Sequence, residues 1–300
     1  MKNKNKYAVI SLSGGMDSST LLLRLLTEGY TICCLSFDYG QKHKVELERA
    51  KSLVEYINQT LTTPDSVGNI KLKFPNKKVT HQIIKLDGLS QLLNSSLVEG
   101  GSEVPEGHYE EENQRQTVVP NRNMIFSSIA QSVALSIATK NNSECIIALG
   151  LHSGDHCVYP DTTEEFRKSC LETFRIGNWE SHLVDYYTPY MNTDKFGILE
   201  DGEKCCQILG LDFDEVYKRT MTSYKPIFIP MKVRNQIMDP MVGGNWYSDY
   251  KSASSVERVE AFIKLGRPDP ALYADEDGEA SWEKVKNHVE NVLKSHILSK

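Results

Sequence analysis

The chain has 300 residues, a formal net charge of −6, 40% hydrophobic residues and 25% charged residues. That length suits one large α/β domain or two small ones, the composition is that of a soluble globular protein, and the negative charge disfavours nucleic-acid binding by charge alone. There is no apolar run long enough for a membrane helix and no signal-peptide pattern behind the Lys/Asn-rich first six residues, and the seven cysteines (with Cys33-Cys34 and Cys205-Cys206 adjacent) lack disulfide-scaffold spacing, which points to a reducing cytoplasm.

Residues 7–11 are predicted as a strand and 19–27 as a helix closed by Gly29. Between them residues 11–20 read Ser-Leu-Ser-Gly-Gly-Met-Asp-Ser-Ser-Thr. A strand, a Gly-Gly turn and a helix start present backbone N–H groups to an anion, aided by the helix dipole and by hydroxyls of Ser13, Ser18, Ser19 and Thr20. Asp17 repels phosphate and makes sense as a helix cap or an ally of Mg²⁺. The Walker A ending and the dinucleotide glycine pattern are absent.

Residues 31–37 form the next predicted strand and 44–57 an amphipathic helix. Residues 58–80 are polar and irregular, 81–86 alternate as a strand, and 95–116 read as a mobile loop that buries little. Helices are predicted over 124–139, 163–175, 193–209, 255–265 and 281–298, with a strand over 145–151. The expected fold is α/β, a doubly wound parallel sheet over residues 1–215, with a small C-terminal helical lobe over 216–300 packed as part of the same unit. Polar clusters following the strands should converge beyond their carboxyl ends. They are 13–19, Asp38 to His43, Pro120 to Asn123, and His152 to Asp155 with Tyr159 to Asp161.

SGGMDSS at 13–19, Phe37-Asp38-Tyr39-Gly40-Gln41-Lys42-His43 with Glu46 and Ala50, Val119-Pro120-Asn121-Arg122-Asn123 and Tyr159-Pro160-Asp161 occur in an order that resembles the 7-cyano-7-deazaguanine synthase (QueC) family of PP-loop ATP pyrophosphatases. Thr193-Asp194-Lys195, Val256 to Phe262 and Gly266 to Tyr273 are similar as well, so the likeness spans about residues 7–273. The resemblance implies ATP and Mg²⁺ as cofactors, with 7-carboxy-7-deazaguanine and ammonia as further small-molecule substrates, and a homodimer. It places ATP at Ser11, Ser13, Gly14, Gly15, Met16, Asp17, Ser18, Ser19 and Phe37, and the purine acid at Tyr39, Gln41, Lys42, His43, Arg122, Asn123, Tyr159 and Asp161. Asp17, Ser18, Lys42 and Arg122 are the expected catalytic residues, and Asp17 or Asp161 would assist Mg²⁺. Lys42, His43 and Arg122 are read as cations for phosphate or carboxylate. Each has a structural alternative: Lys42 and His43 as solvated loop residues, Arg122 as an ion-pair partner of Asp155 or Asp161, Asp161 as a cap of the helix from 163, and Asn123 as a cap of the 124–139 helix.

The chain departs from the family at its zinc site, whose four cysteine positions carry Ser223, Asp249, Ser252 and Ser255. No structural zinc is expected, and the apolar stretch within 226–247 is the expected substitute core or partner surface. An arginine of the family motif is replaced by Thr163, the 95–116 loop is acidic, and a C-terminal helix is added. Two products are consistent with these departures: the nitrile formed with ammonia, or a conjugate with a protein amine such as an N-terminal glycine, as QueC-like proteins of antiviral (CBASS) operons suggest. A degenerate nucleotide-binding scaffold is a third reading. A generic PP-loop amidotransferase lacks support, since no glutaminase domain is present.

Overall fold

Side chains alternate along β1 (Lys6–Ser11), with Ala8 and Ile10 entering one core and Val9 the other, so this strand must be covered on both faces. The computed structural model describes residues 5–62, 79–107, 112–154, 159–233, 236–237 and 243–299. After β1 come α1 (Met16–Thr27), β2 (Tyr30–Asp38), α2 (Val45–Thr62), β3 (Thr80–Lys85), α3 (Arg122–Asn141), β4 (Cys145–Ala148), α4 (Glu164–Gly177), β5 (Val184–Tyr187), α5 (Lys195–Leu209) and α6 (Phe213–Lys218). The five strands form one parallel sheet in the order β3-β2-β1-β4-β5, the doubly wound arrangement expected. β5 lies outside the predicted strands: its Val-Asp-Tyr-Tyr sequence is only four residues long and shows little alternation.

α1 is apolar around most of its circumference, with Leu21, Leu22, Leu23, Leu25 and Leu26 all buried. It lies between the sheet and α5, so every face meets protein. It begins at Met16, three residues before the expected start, because Gly15 already supplies the extended N-cap. The opposite core holds α3, Leu171 and Phe174 of α4, and part of the 95–116 loop. That loop differs from expectation in its described portion. Leu97, Val98 and Val104 are buried there, and bridges join Gln41 to Val98 and Glu106 to Ser252.

The chain continues through β6 (Ile227–Pro230), β7 (Lys232–Val233), β8 (Gln236–Ile237), β9 (Gly244–Tyr247), α7 (Ala253–Leu265), β10 (Tyr273–Asp275), β11 (Gly278–Ala280) and α8 (Trp282–Ser299). The apolar stretch 226–247 is not a substitute core in its described part. Ile227, Phe228 and Ile229 are half-buried, Trp246 is 39% exposed and Met231 52% exposed, and only Tyr247 is buried. The side chains of Ile237, Met238, Met241 and Val242 lie outside the described residues. α7 is held instead by Ala261 and Phe262 in the core around α1, by Val256 and Val259 against Val285 and Val289 of α8, and by a buried ion pair. Arg258 is buried and forks onto Asp269, with Nε 2.6 Å from Oδ2 and Nη2 2.9 Å from Oδ1. The same guanidinium donates to the Thr220 hydroxyl at 2.6 Å and to the Tyr217 carbonyl at 3.0 Å.

Candidate active site

Strand order reverses direction between β1 and β4, and the loops leaving those two strands part there to form a crevice. A cavity of about 250 Å³ occupies it, lined from one side by Ser11, Ser13, Gly15, Asp17 and Ser18 and from the other by Leu149, Gly150 and Leu151. Gly150 packs closely on the start of α1, where a Cβ would stand 3.1 Å from the Ser18 nitrogen.

The Gly-Gly loop is organised by its own hydroxyls. Ser13 and Ser18 hydroxyls are 3.0 Å apart, and the Gly15 N–H donates to the Ser13 hydroxyl at 3.2 Å. The Met16 N–H donates to the Thr222 hydroxyl at 3.4 Å. Gly14 does not line the cavity. Its φ of +83° and its contact with α2, where a Cβ would lie 2.2 Å from the Glu46 carbonyl oxygen, explain the glycine. Met16 and Ser19 are fully buried and away from the cavity, so their expected nucleotide contacts are not supported by the geometry.

Asp17 is not the helix cap. Its Oδ2 lies 2.8 Å from the Lys195 ammonium and 3.9 Å from His152 Nε2, and Lys195 is also 2.8 Å from His152 Nε2 and 3.4 Å from Glu257. Burial alone would raise the Asp17 carboxyl, but Lys195 and His152 more than offset it and hold it below the ordinary carboxylate range. Asp17 Oδ1 is buried without a hydrogen-bond partner among the described residues. Lys195 lines the cavity; the sequence marks it within the matching element Thr193-Asp194-Lys195 but gives it no site role. One signal for it exists. Asp194 caps α5 by accepting the Gly197 N–H at 2.9 Å, which puts a lysine at the positive end of the helix dipole, where a cation is disfavoured unless an anion requires it.

The β2 side is aromatic. Phe37 stacks on Phe126 with ring centroids 4.0 Å apart, and Tyr39 packs against the same ring. Arg122 lies over the Tyr39 ring and donates to its hydroxyl at 3.2 Å. Burial works against the Arg122 charge, and the Tyr39, Tyr159 and Tyr224 hydroxyls more than offset it. Among the described residues no carboxylate lies within ion-pair distance of Arg122; Asp161 lines the same cavity without pairing to it, and Asp155 lies outside the described residues. Asn123 and Tyr159 line the cavity too, and the Tyr159 hydroxyl is 2.7 Å from that of Thr117. The cap alternatives do not hold. Thr163 caps α4 by accepting the Phe166 N–H, and α3 starts at Arg122 behind Asn121, ahead of Asn123.

Three expected substrate contacts fall differently. Gln41 is fully buried off the cavity, where its amide bonds the Tyr39 N–H, the Phe37 carbonyl and Glu46. Lys42 is exposed and donates to the carbonyls of Gly101 at 2.8 Å and Ser102 at 2.6 Å, so it anchors a loop and neither reaches the cavity nor floats in solvent. His43 does line the cavity, but burial and then Arg122 push it down to about 3, so it is a neutral imidazole and not a cation. Its neighbour Glu46, 3.5 Å away, is pushed up to about 8 by burial against the Gln41 amide and Arg122. Their contact is therefore between two neutral groups at pH 7.

Residues 7–230 match the profile of a family described as "Queuosine biosynthesis protein QueC". The chain is 37% identical to "7-cyano-7-deazaguanine synthase 2" of Colwellia psychrerythraea over 270 residues, 90% of this chain and 99% of that one. It is 34% identical to "7-cyano-7-deazaguanine synthase" of Psychromonas ingrahamii over 90% of this chain and 99% of that one. A relative of the same description from Methanoregula boonei is 35% identical over 89% of this chain and 98% of its own.

Proposed function

The chain belongs to the queuosine biosynthesis protein QueC family, and from that premise we propose that it is an ATP-dependent ligase that adenylates the carboxylate of 7-carboxy-7-deazaguanine and carries it through the amide to the nitrile. One observation carries this reading: a single cavity holds a cation on each side of β1, the buried Lys195 beside the Gly-Gly loop and the half-buried Arg122 over Tyr39. Joining an acid to ATP brings two anions together, and the site must hold both while charge builds at the α-phosphate.

In this reading Ser13, Gly15 and Ser18 with Lys195 receive the phosphates, and the Phe37–Phe126 stack provides an aromatic wall for a planar base. A carboxylate oxygen bonds to the α-phosphorus as the α–β bridging bond breaks and pyrophosphate leaves. Ammonia attacks the acyl carbon, and AMP departs with the C–O electron pair to leave the amide. A second ATP activates the amide oxygen in the same way, and loss of AMP and two protons leaves the nitrile. Glu46, held at about 8, is the cavity group suited to exchanging protons with the amine near neutral pH.

The cavity suits Mg²⁺ held mainly by phosphates. Among the described residues no group of three or more His, Cys, Asp or Glu side chains is placed to cage a metal ion. Asp17 Oδ1 and Asp161 would each offer one carboxylate, the share that Mg²⁺ commonly takes from protein. Bound there, the ion supplies charge neutralisation at the phosphate oxygens.

The test is a mass-resolved reaction of the full chain with ATP, Mg²⁺ and 7-carboxy-7-deazaguanine, with ammonium or with a protein bearing an N-terminal glycine. Nitrile, AMP and pyrophosphate are expected. A deazaguanine-sized addition to the protein acceptor without nitrile would overturn the ammonia assignment, because such an amide cannot dehydrate to a nitrile. Absence of AMP in every arm would overturn the ligase reading.

A further inference from the structure

Arg167 lies one turn into α4 and lines the cavity. Its side chain is 16% exposed, it sits over the Tyr186 ring, and the solvent-facing Glu164 carboxylate is 3.7 Å away. Its Nε is buried with no hydrogen-bond partner among the described residues. A guanidinium is a fixed cation with five N–H donors in a planar fork, and burying one without hydrogen bonds is costly. Such a cost is accepted where a ligand supplies the missing acceptors. The other polar groups of this wall, Asn123, Ser127 and Asp161, suit a polar heterocycle beside an oxyanion.

We propose that Arg167 is a third anion-binding residue of this cavity, beside Lys195 and Arg122, which receives an oxyanion of the bound substrates through its fork. The inference rests on the ligase reading above. Two sources share that chemistry, the carboxylate of the purine acid and a phosphate of ATP, and separate titrations distinguish them. The full-length chain and its Arg167→Met and Arg167→Lys variants are titrated calorimetrically with ATP–Mg²⁺ and, separately, with 7-carboxy-7-deazaguanine. Arg167→Met is expected to weaken one of the two ligands at least about tenfold and leave the other within about twofold, and Arg167→Lys to recover part of the loss. Unchanged affinity for both ligands, or equal loss for both alongside a lowered melting temperature, would overturn the proposal. Failure of the wild type to bind either ligand would instead overturn the ligase reading.

A second observation is independent of the cavity. Ser223, Asp249, Ser252 and Ser255 stand where the family resemblance places zinc-binding cysteines, and these four residues do converge, all buried. Asp249 Oδ1 accepts the hydroxyls of Ser223 at 2.5 Å, Ser252 at 2.7 Å and Ser255 at 3.0 Å. Its Oδ2 accepts the N–H groups of Lys251 at 2.8 Å and Ser252 at 2.6 Å. Zinc does not fit this set, which has no thiolate or imidazole and whose single carboxylate already accepts five hydrogen bonds. We infer that the Asp249 carboxylate is itself the cross-link. It ties the segment carrying Met221, Thr222 and Tyr224 to the start of α7, which carries Ser254, and all four of these line the cavity.

Metal analysis and melting curves test this. The wild type is expected to hold less than 0.1 equivalent of zinc (roughly background for a closed structural site) and to melt at the same temperature with and without EDTA. Asp249→Ala should lower the melting temperature by about 5 °C or more, and Ser255→Ala by less. Replacing all four residues with cysteine should restore the melting temperature only when zinc is supplied. One zinc per wild-type chain, an EDTA-lowered melting temperature, or wild-type melting of both alanine variants would overturn the inference.

Discussion

Lys195 Nζ stands 2.8 Å from Asp17 Oδ2, joining the first residue of α5 to the first turn of α1 through a buried ion pair at the edge of the cavity. The pair ties the loop that would meet the phosphates to a helix from the far side of β1. Lys195→Met is expected to slow AMP release by about 100-fold or more, the range seen when a preorganised charge is removed from a transition state. Asp17→Ala or Ser18→Ala should abolish AMP release with ligand binding less affected. Single-turnover AMP measurements check both, and an Lys195→Met rate within threefold of wild type (about 0.7 kcal/mol or less) would remove Lys195 from the chemistry.

Acid should weaken this junction. Asp17 is held below the usual range in the folded chain, so its contribution to stability is present above the unfolded carboxylate range and disappears as pH falls through the folded value. Asp17→Asn should therefore lose the most stability relative to wild type near neutral pH, with the gap closing on acidification. Urea melts of the two proteins between pH 3 and pH 7 (roughly the carboxylate titration range and above) check it.

Glu46 has the opposite sign. Its folded carboxyl is raised to about 8, so the folded state retains a proton that the unfolded chain gives up at lower pH. Stability should decline as pH rises from the ordinary glutamate range to about 8 and then level. Across that window the loss for one such carboxyl is about 1.4 kcal/mol for every step of one in pH. Glu46→Gln should flatten that slope, as measured by denaturant midpoints across the range.

Lys42→Ala should leave AMP release within about threefold of wild type, because the ammonium is occupied by the Gly101 and Ser102 carbonyls outside the cavity. Faster hydrogen exchange through residues 97–104 is the expected cost. A tenfold loss of turnover with unchanged exchange would return Lys42 to the reacting groups.

Arg258→Met should destabilise the fold by about 3–5 kcal/mol, since it strands the buried Asp269 carboxylate without its partner. Removing both charges together, as Arg258→Met with Asp269→Leu, should cost less than the single change. Equilibrium urea unfolding of the three variants checks the ordering.

Four of the five strands were legible as short runs punctuated by turn residues, β5 being too short to stand out, and the crevice followed from the loops that leave them. Ser11, Asp17, Ser18, Phe37, Tyr39, Arg122, Asn123, Tyr159 and Asp161 all reach the cavity. What sequence could not reveal was direction. Gln41 and Lys42 flank one another in a polar motif, yet one turns inward to hold a β2 turn and the other outward to hold a distant loop. Burial also set charge: His43 loses its proton and Glu46 keeps one through desolvation, which no local pattern encodes. Phe126 and Arg167 lie on helices whose periodicity gives no sign of which residue ends at the cavity, and Lys195, though in a matching element, carries no mark of its role beside Asp17.

Position 14 is closed to every residue but glycine on two separate grounds, a φ of +83° and a Glu46 carbonyl oxygen where a Cβ would sit. Any single-base change to its codon that alters the amino acid introduces a Cβ, so inherited variation at this site has no conservative option. A lineage that carries the working fold must carry this glycine unchanged, whatever substrate its cavity comes to accept.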